Sequence, residues 1–493
     1  MVNDLVVDVF CGGGGTSLGI EWAIGRSPDI AINHDDAAIE MHAANHPKTL
    51  HVREDVWKAD LRKLTRGRHV GLITSSPSCT HFSRAKGGKP LDKNIRSLAW
   101  IVCKWAEEVK PAIIVNENVH EMTGWGPLVP RYACRECDWK GTEGQAKLAR
   151  VNIRCPRCNA PRLRQLTDQF PDPDRKGLTF KRWVGRLRNL GYAVEWKVLN
   201  AADYGAPTHR KRLFVIARRD GLPIIWPEPT HCDPKKLEDM PLFGRLEPWR
   251  TAAECIDWDL PCPSIFERKR PLKEATLRRI ALGIKRYVIE AEEPFIVPVT
   301  HSTSSERRCH PLSKPLPTIT TAKGGEFALC RPVLEKASAY IAKHFGGMVG
   351  VDIRTPLPTT TTKGCQNQLV TAALVHASET SRPESLAKAQ RVIAYLIKYF
   401  GTGIGQSVDE PLSTITTKHR HALVMVTVAG EPYVIVDIGM RMLTPRELAT
   451  AQGFPSDYIL TGTKTSQVAR IGNSVCPHVA KAIVESNYSS VLV

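Results

Sequence analysis

Residues 75–83 read Ser-Ser-Pro-Ser-Cys-Thr-His-Phe-Ser, and the apolar run Ile113-Ile114-Val115 leads towards Glu117-Asn118-Val119. Cys79 thus sits in a Pro- and Ser-rich turn, and Glu117 at the end of a later strand. A sulfur nucleophile and a carboxyl group so placed form a pairing that pyrimidine chemistry can use. An isolated cysteine is more often a buried or inert thiol, so the pair alone is only suggestive.

The elements needed to position such a pair surround it in a fixed order. Leu5-Val6-Val7-Asp8-Val9-Phe10 is a short β-type run that breaks into Cys11-Gly12-Gly13-Gly14-Gly15-Thr16-Ser17, and a helical pattern starts at Leu18. Strand, glycine loop and helix are how a doubly wound sheet brings backbone close to a nucleotide-like ligand. The glycines are expected to clear space for that approach. The same loop also suits NAD, a phosphate or a plain tight turn. No Gly-Lys-Ser/Thr ending follows, which argues against a P-loop.

With these residues in view, the chain resembles the DNA (cytosine-5)-methyltransferases over residues 5–222 and 441–484. Asp8-Val9-Phe10-Cys11-Gly12-Gly13-Gly14-Gly15 resembles the family's first motif, which binds S-adenosylmethionine. Pro77-Ser78-Cys79 stands where the family has Pro-Pro-Cys, and Glu117-Asn118-Val119 matches its Glu-Asn-Val. Thr208-His209-Arg210-Lys211-Arg212 resembles Gln-x-Arg-x-Arg, with Thr208 replacing Gln. Arg446-Glu447-Leu448 with Gln452-Gly453-Phe454-Pro455 matches the ninth motif, and Gly472-Asn473-Ser474-Val475 the tenth. Ser78 is expected to loosen the nucleophile loop, and Thr208 to remove one of its supports.

The resemblance implies a Rossmann-like α/β methyltransferase sheet acting on cytosine carbon 5 in double-stranded DNA. Cys79 would attack carbon 6 and make carbon 5 enamine-like. Glu117 would hold or protonate ring nitrogen 3, and Arg210 and Arg212 would orient the carboxylate or the nucleotide. The target base must leave the duplex to reach such a site. The cofactor residues implied are Asp8, Phe10, Gly12, Gly14, Gly15, Thr16, Asp55, Val56, Pro77, Asn473 and Ser474. The ribose-binding acid is ambiguous: an ungapped reading puts Asn33 at its position and His34 at the neighbouring aromatic one, whereas a small shift brings in Asp35 or Asp36. A monomer and a cognate restriction endonuclease are further expectations. A tRNA methyltransferase of the same branch and a silent DNA-binding regulator on this fold remain the alternatives; the long middle region opposes the first, and the presence of both Cys79 and Glu117 the second.

Composition agrees with a polyanion partner: 68 Lys and Arg against 50 Asp and Glu give a net charge of +18. No basic-then-apolar leader and no apolar run of about 20 residues is evident, so a cytoplasmic protein without a membrane span is expected. Fourteen cysteines in 493 residues do not resemble a secreted disulfide scaffold. Cys134-x-x-Cys137 and Cys155-x-x-Cys158 have the spacing of two knuckles that place four thiolates around structural zinc. The segment 131–164 is therefore expected to be a zinc ribbon looping out of the catalytic domain.

Three domain segments are expected: 1–226 and 438–493 build the catalytic domain, and 227–437 the β-rich target recognition domain between them. Leu272 to Glu290 has a helical stripe of Leu277, Ile280, Ala281 and Ile284. Pro315-Leu316-Pro317-Thr318-Ile319-Thr320-Thr321 recurs as Pro356-Leu357-Pro358-Thr359-Thr360-Thr361-Thr362 and as Pro411-Leu412-Ser413-Thr414-Ile415-Thr416-Thr417, which suggests three β-rich units.

Overall fold

The computed structural model describes residues 4–237 apart from 80–81, 83–95, 143–144, 146, 149–152 and 162; residues 246–271 apart from 256, 258 and 262; the strands between 295 and 442; and residues 444–488. Residues 1–249 and 449–493 form one compact unit, and 250–448 a second.

The first unit is built on β1 (Leu5–Val9), β2 (Ile30–Asn33), β3 (Leu50–Arg53), β4 (Val70–Ser75) and β5 (Ile113–Asn118). These strands run parallel in the order β3-β2-β1-β4-β5. Helix α1 (Gly15–Ile24) joins β1 to β2, and α2 (Asp36–Asn45) joins β2 to β3. An insertion follows β5, with β6 (Leu128–Cys134), β7 (Lys140–Thr142) and β8 (Leu163–Pro171) in one antiparallel sheet of order β8-β6-β7. The chain then returns as β9 (Ala193–Asn200) and β10 (Lys211–Arg218); β10 pairs antiparallel with β5, and β9 with β10.

β1, β4 and β5 are buried along their whole length, as expected of near-continuous apolar runs covered on both faces. Side chains alternate between two cores, as the strand period requires. Val7, Val9, Ile73 and Ile114 pack with Ile101 and Trp105 of α3 (Ile101–Glu108) and with Phe180 and Trp183 of α4 (Leu178–Asn189). Val6, Leu72, Ile113 and Val115 face the other way. They meet Ile20 of α1 and, beyond α5 (Lys464–Asn473), Val479, Ile483 and Val484 of α6 (Pro477–Asn487). Strand order reverses between β1 and β4, so the loops leaving their carboxyl ends diverge and leave a crevice.

This unit extends to Trp249 because the segment after residue 226 stays bonded to it. The Thr230 amide donates to the Asp203 carbonyl at 2.9 Å, and Trp249 Nε1 to Asp203 Oδ1 at 2.9 Å. Leu222–Pro227 forms no strand; it is clamped by Asn487, whose Nδ2 donates to the Ile225 carbonyl and whose Oδ1 accepts from the Ile225 amide.

The second unit contains a five-stranded antiparallel sheet in the order Val351–Asp352, Ala339–Lys343, Asn367–His376, Glu431–Met442, Met425–Val428. A three-stranded sheet joins His310–Pro311, Phe295–Pro298 and Phe327–Cys330. The expected helix at 272–290 lies outside the described residues, as do the three repeats except Leu357 and Pro358.

Helices α1 and α6 touch through glycine. A Cβ on Gly19 would lie 2.5 Å from the Pro477 carbonyl oxygen and 2.6 Å from the Ala480 Cβ, whereas one on Gly185 of α4 meets nothing within 4 Å. Gly19→Ala should therefore destabilise the protein by about 1–3 kcal/mol through overpacking. Gly185→Ala should stabilise it by up to about 1 kcal/mol by relieving a helical glycine. Denaturant unfolding of the two variants checks the opposite signs.

Candidate active site and cysteine cluster

β1 ends in a tight turn. Phe10 has φ of 58°, Gly12 53° and Gly14 84°, and the Gly14 amide donates to the Cys11 carbonyl at 2.9 Å. Gly13 to Gly15 are pressed by the end of the chain. Cβ atoms there would fall 2.8 Å from Ser474 Oγ, 2.1 Å from Tyr458 Oη and 2.1 Å from the Val475 carbonyl oxygen, respectively. Tyr458 Oη also donates to the Gly13 carbonyl at 2.8 Å. A Cβ on Gly12 would meet only the Phe10 carbonyl oxygen, at 3.6 Å, so this side of the turn is the open one. The glycines expected to clear space for a ligand thus divide: Gly12 leaves room for approach, and Gly13 to Gly15 admit other parts of the protein.

Asp8, expected at the cofactor, is fully buried and turned inward. It accepts from Ser17 Oγ at 2.6 Å and Thr74 Oγ1 at 2.8 Å, and burial raises its pKa to about 6. Asn33 ends β2 with its side chain 8% exposed, beside the turn, and His34 next to it is exposed. Asp35 is engaged elsewhere. It caps α2 by accepting from the Ala37 and Ala38 amides, and it pairs with Arg470 Nη2 at 2.8 Å. Asp36 pairs with Arg53 at 3.1 Å. After β3, Asp55 is exposed and accepts from the Trp57 amide at 2.8 Å, while Val56 is buried. Asn473 is exposed and Ser474 buried, at the end of α5. An open Gly12, the Asn33 amide and the Asp55-Val56 turn at neighbouring strand ends suit a nucleoside-bearing ligand such as S-adenosylmethionine.

The second constellation lies at the ends of β4 and β5. Asn118 Nδ2 donates to the Pro77 carbonyl at 3.0 Å, tying the Ser76–Cys79 turn to β5; its Oδ1 accepts from the Val119 amide at 2.9 Å. Glu117 is 6% exposed and its Oε1 lies 3.1 Å from Arg212 Nε. Arg210 is 3% exposed and its Nη1 donates to the Gly472 carbonyl at 3.1 Å. Thr16, Ser76, Glu117 and Val475 line one small cavity, so residues near both constellations border the same space.

Burial governs the protonation of this cluster. It pushes the Cys79 thiol up; Arg212 and, more weakly, Arg210 oppose the shift, and Glu117 adds to it. It raises Glu117 too, against Arg212 and Arg210. Arg210 itself is lowered to about 9 by burial, then by Arg212. Such a site holds a reluctant thiol, a carboxyl group able to carry a proton, and two guanidinium groups that favour the thiolate.

In the insertion, the Sγ atoms of Cys134, Cys137, Cys155 and Cys158 all lie within 4.8 Å of one another. Cys134 and Cys158 are 3.4 Å apart, and Cys137 and Cys155 3.6 Å. These separations are far too long for disulfides, at about 2.05 Å. They match the roughly 3.8 Å edge of a tetrahedron of sulfurs about 2.3 Å from zinc.

Sequence reasoning missed the Tyr458 clasp on Gly13, the Asn118 tie to Pro77 and the Asn487 clamp. Asn118 was within a motif already singled out, but its side-chain partner could be found only in three dimensions.

A family model described as C-5 cytosine-specific DNA methylase matches residues 5–125, 172–259 and 357–489, more than half of the chain. Its first gap brackets the cysteine insertion. The Type II methyltransferase M.AgeI of Thalassovita gelatinovora is 23% identical over 97% of this chain and 98% of its own length. M.AquIA of Picosynechococcus is 25% identical over 51% of this chain and 87% of its own. A solved putative DNA modification methyltransferase from an E. coli prophage aligns over 100% of both chains at 18% identity with a TM-score of 0.43.

The opposing influences on Cys79 give a direct expectation. Arg212→Gln removes the larger favourable charge and also frees Glu117 to take up a proton, which only partly offsets the loss. The pH at which Cys79 alkylation reaches half its maximal rate should therefore move upward, as read by mass spectrometry of the iodoacetamide-labelled peptide.

Proposed function

The chain belongs to the C-5 cytosine-specific DNA methylase family and is a DNA cytosine-5 methyltransferase, and we propose that it works through a covalent adduct between Cys79 and carbon 6 of a cytosine flipped out of duplex DNA. The observation that carries this reading is the Asn118–Pro77 hydrogen bond. It ties the Cys79 turn to the strand that presents Glu117, so nucleophile and acid face one ring from fixed positions.

The two guanidinium groups lower the cost of forming the Cys79 thiolate in a buried site. As its sulfur adds to carbon 6, electron density moves into the ring, and the raised pKa of Glu117 lets its neutral form give a proton to nitrogen 3. Arg212 then holds the resulting carboxylate. S-adenosylmethionine, when bound, supplies an electrophilic methyl group to the activated carbon 5. Water removes the carbon-5 proton, its electrons restore the carbon 5–carbon 6 double bond as Cys79 leaves as a thiolate, and nitrogen 3 returns its proton to the Glu117 carboxylate. The cofactor residues in this reading are Phe10, Gly12, Asn33, Asp55 and Val56, with Thr16, Asn473 and Ser474 at the junction of loop and C-terminal segment. Asp8, Gly14 and Gly15, likewise expected at the cofactor, contribute by shaping the turn.

The cysteine cluster fits a structural zinc ion, held by Cys134, Cys137, Cys155 and Cys158. Target recognition is assigned to the second unit, residues 250–448, instead of the expected 227–437, because that unit fills the interval in the chain between the two segments of the first and carries the antiparallel sheets. The Type II names of the relatives support a restriction–modification setting with a cognate endonuclease. The enzyme is taken to act as a monomer in the cytoplasm. Among the described residues no helix is long and apolar enough to cross a membrane.

Cys79→Ala should abolish methyl transfer to duplex DNA and preserve cofactor and DNA binding. A duplex carrying 5-fluorocytosine should trap the wild type covalently, since fluorine does not leave as a proton. Trapping that persists in Cys79→Ala would refute the nucleophile. Elemental analysis of metal-replete protein should find one zinc per chain, and Cys134→Ser with Cys158→Ser should lose it; a metal content unchanged by that double substitution removes the cluster as its site.

A further inference from the structure

The nucleophile turn is held from two sides. Asn118 holds its start; its end is Phe82, whose amide donates to the Cys79 carbonyl at 3.0 Å. The Phe82 ring meets Trp125 edge-on, with centroids 5.5 Å apart and planes at 77°. Trp125 in turn leans on Trp100 at 5.9 Å. The guanidinium of Arg96 covers the Phe82 ring, 5.1 Å from its centroid. Arg96 is only 4% exposed, and its Nε and Nη1 are buried without a hydrogen-bond partner among the described residues. Within that set, the face of Phe82 is what this buried cation has in place of a carboxylate. Displacing Phe82 would remove that compensation, so the stack resists movement of the turn.

Trp125 is also the root of the cysteine insertion. It is 4% exposed, and its carbonyl accepts from the amides of Thr179 and Phe180 at 2.9 and 3.0 Å. Beside it, a Cβ on Gly126 would fall 2.4 Å from the Arg175 carbonyl oxygen. The Asp172 amide closes the neck by donating to the Pro127 carbonyl at 3.0 Å. The two ends of the insertion are therefore locked together at the point where Phe82 rests. We propose that this root is the seat of the nucleophile turn and that Trp125 is a positioning residue for Cys79. The insertion is thus part of the catalytic apparatus at its base, whatever its cysteine-bearing tip contacts. The proposal rests on Cys79 being the nucleophile.

Trp125→Leu in the full chain should leave cofactor and DNA affinity unchanged and lower kcat. It should slow covalent trapping on 5-fluorocytosine duplex by about tenfold or more, and Trp125→Phe, which keeps a ring edge, should recover most of the rate. Iodoacetamide labelling of Cys79 should accelerate in Trp125→Leu as the turn loosens. If Trp125→Leu fails to fold, Phe82→Leu puts the same question from the side of the turn. A folded variant that traps at the wild-type rate overturns the proposal. Should the wild type itself fail to trap, the assignment of the nucleophile fails instead, and the labelling rate alone then decides whether Trp125 seats the turn.

Discussion

The structure depends on the close approach of the C-terminal segment to the first turn of the chain. Ser474 and Val475 lie where Cβ atoms on Gly13 and Gly15 would be, and Tyr458 occupies the corresponding space at Gly14. Side chains and, at Gly15, backbone pressed this close leave little room for adjustment, so the turn adopts one shape. That turn directs the open side of Gly12 to the strand ends. It also fixes Ser17, which together with Thr74 holds the buried carboxylate of Asp8. Arg210, beside Cys79 and Glu117, extends the same contact to that cluster by bonding to the Gly472 carbonyl. The glycine turn and the Cys79–Glu117 cluster are therefore set by a common piece of chain.

Burial has opposite uses in the cluster. It raises Glu117 and so favours its protonated form, and it makes Cys79 a poorer thiolate. Two arginines resolve the conflict in part. Placing guanidinium groups rather than lysines here is physically apt, because they stay charged when desolvated; even Arg210, lowered to about 9, remains a cation at neutral pH. A substrate ring entering the site would exclude more water and strengthen each of these charges.

Much of the site was legible in the sequence because its chemistry is carried by short, ordered motifs. Cys79, Glu117, Arg210 and Arg212 appear in one neighbourhood, and the four cysteines of the insertion converge as their spacing implies. What could not be read depends on partners distant in the chain. Gly13 to Gly15 look like ligand clearance until Tyr458 and Val475 are seen beside them. Asp35 looks like a free acid until α2 and Arg470 claim it. The parallel strands were recognisable from apolar runs such as Leu5–Val9 and Ile113–Val115. Their order was not, since it is decided by which helices cover which face. The repeats gave a period and a β preference, but no partner strands.

The clasp between Gly13–Gly19 and Tyr458–Ala480 also has a consequence for biogenesis. About 460 residues separate its two halves. At synthesis rates of about 5–20 residues per second, the first half waits on the order of 20–90 s at the ribosome before the second exists. During that interval the apolar face of α1 that α6 will cover has no mate, and the loop cannot hold its final shape. A newly made chain should therefore acquire activity abruptly, once α5 and α6 dock. The exposed α1 face is where a chaperone would be needed most.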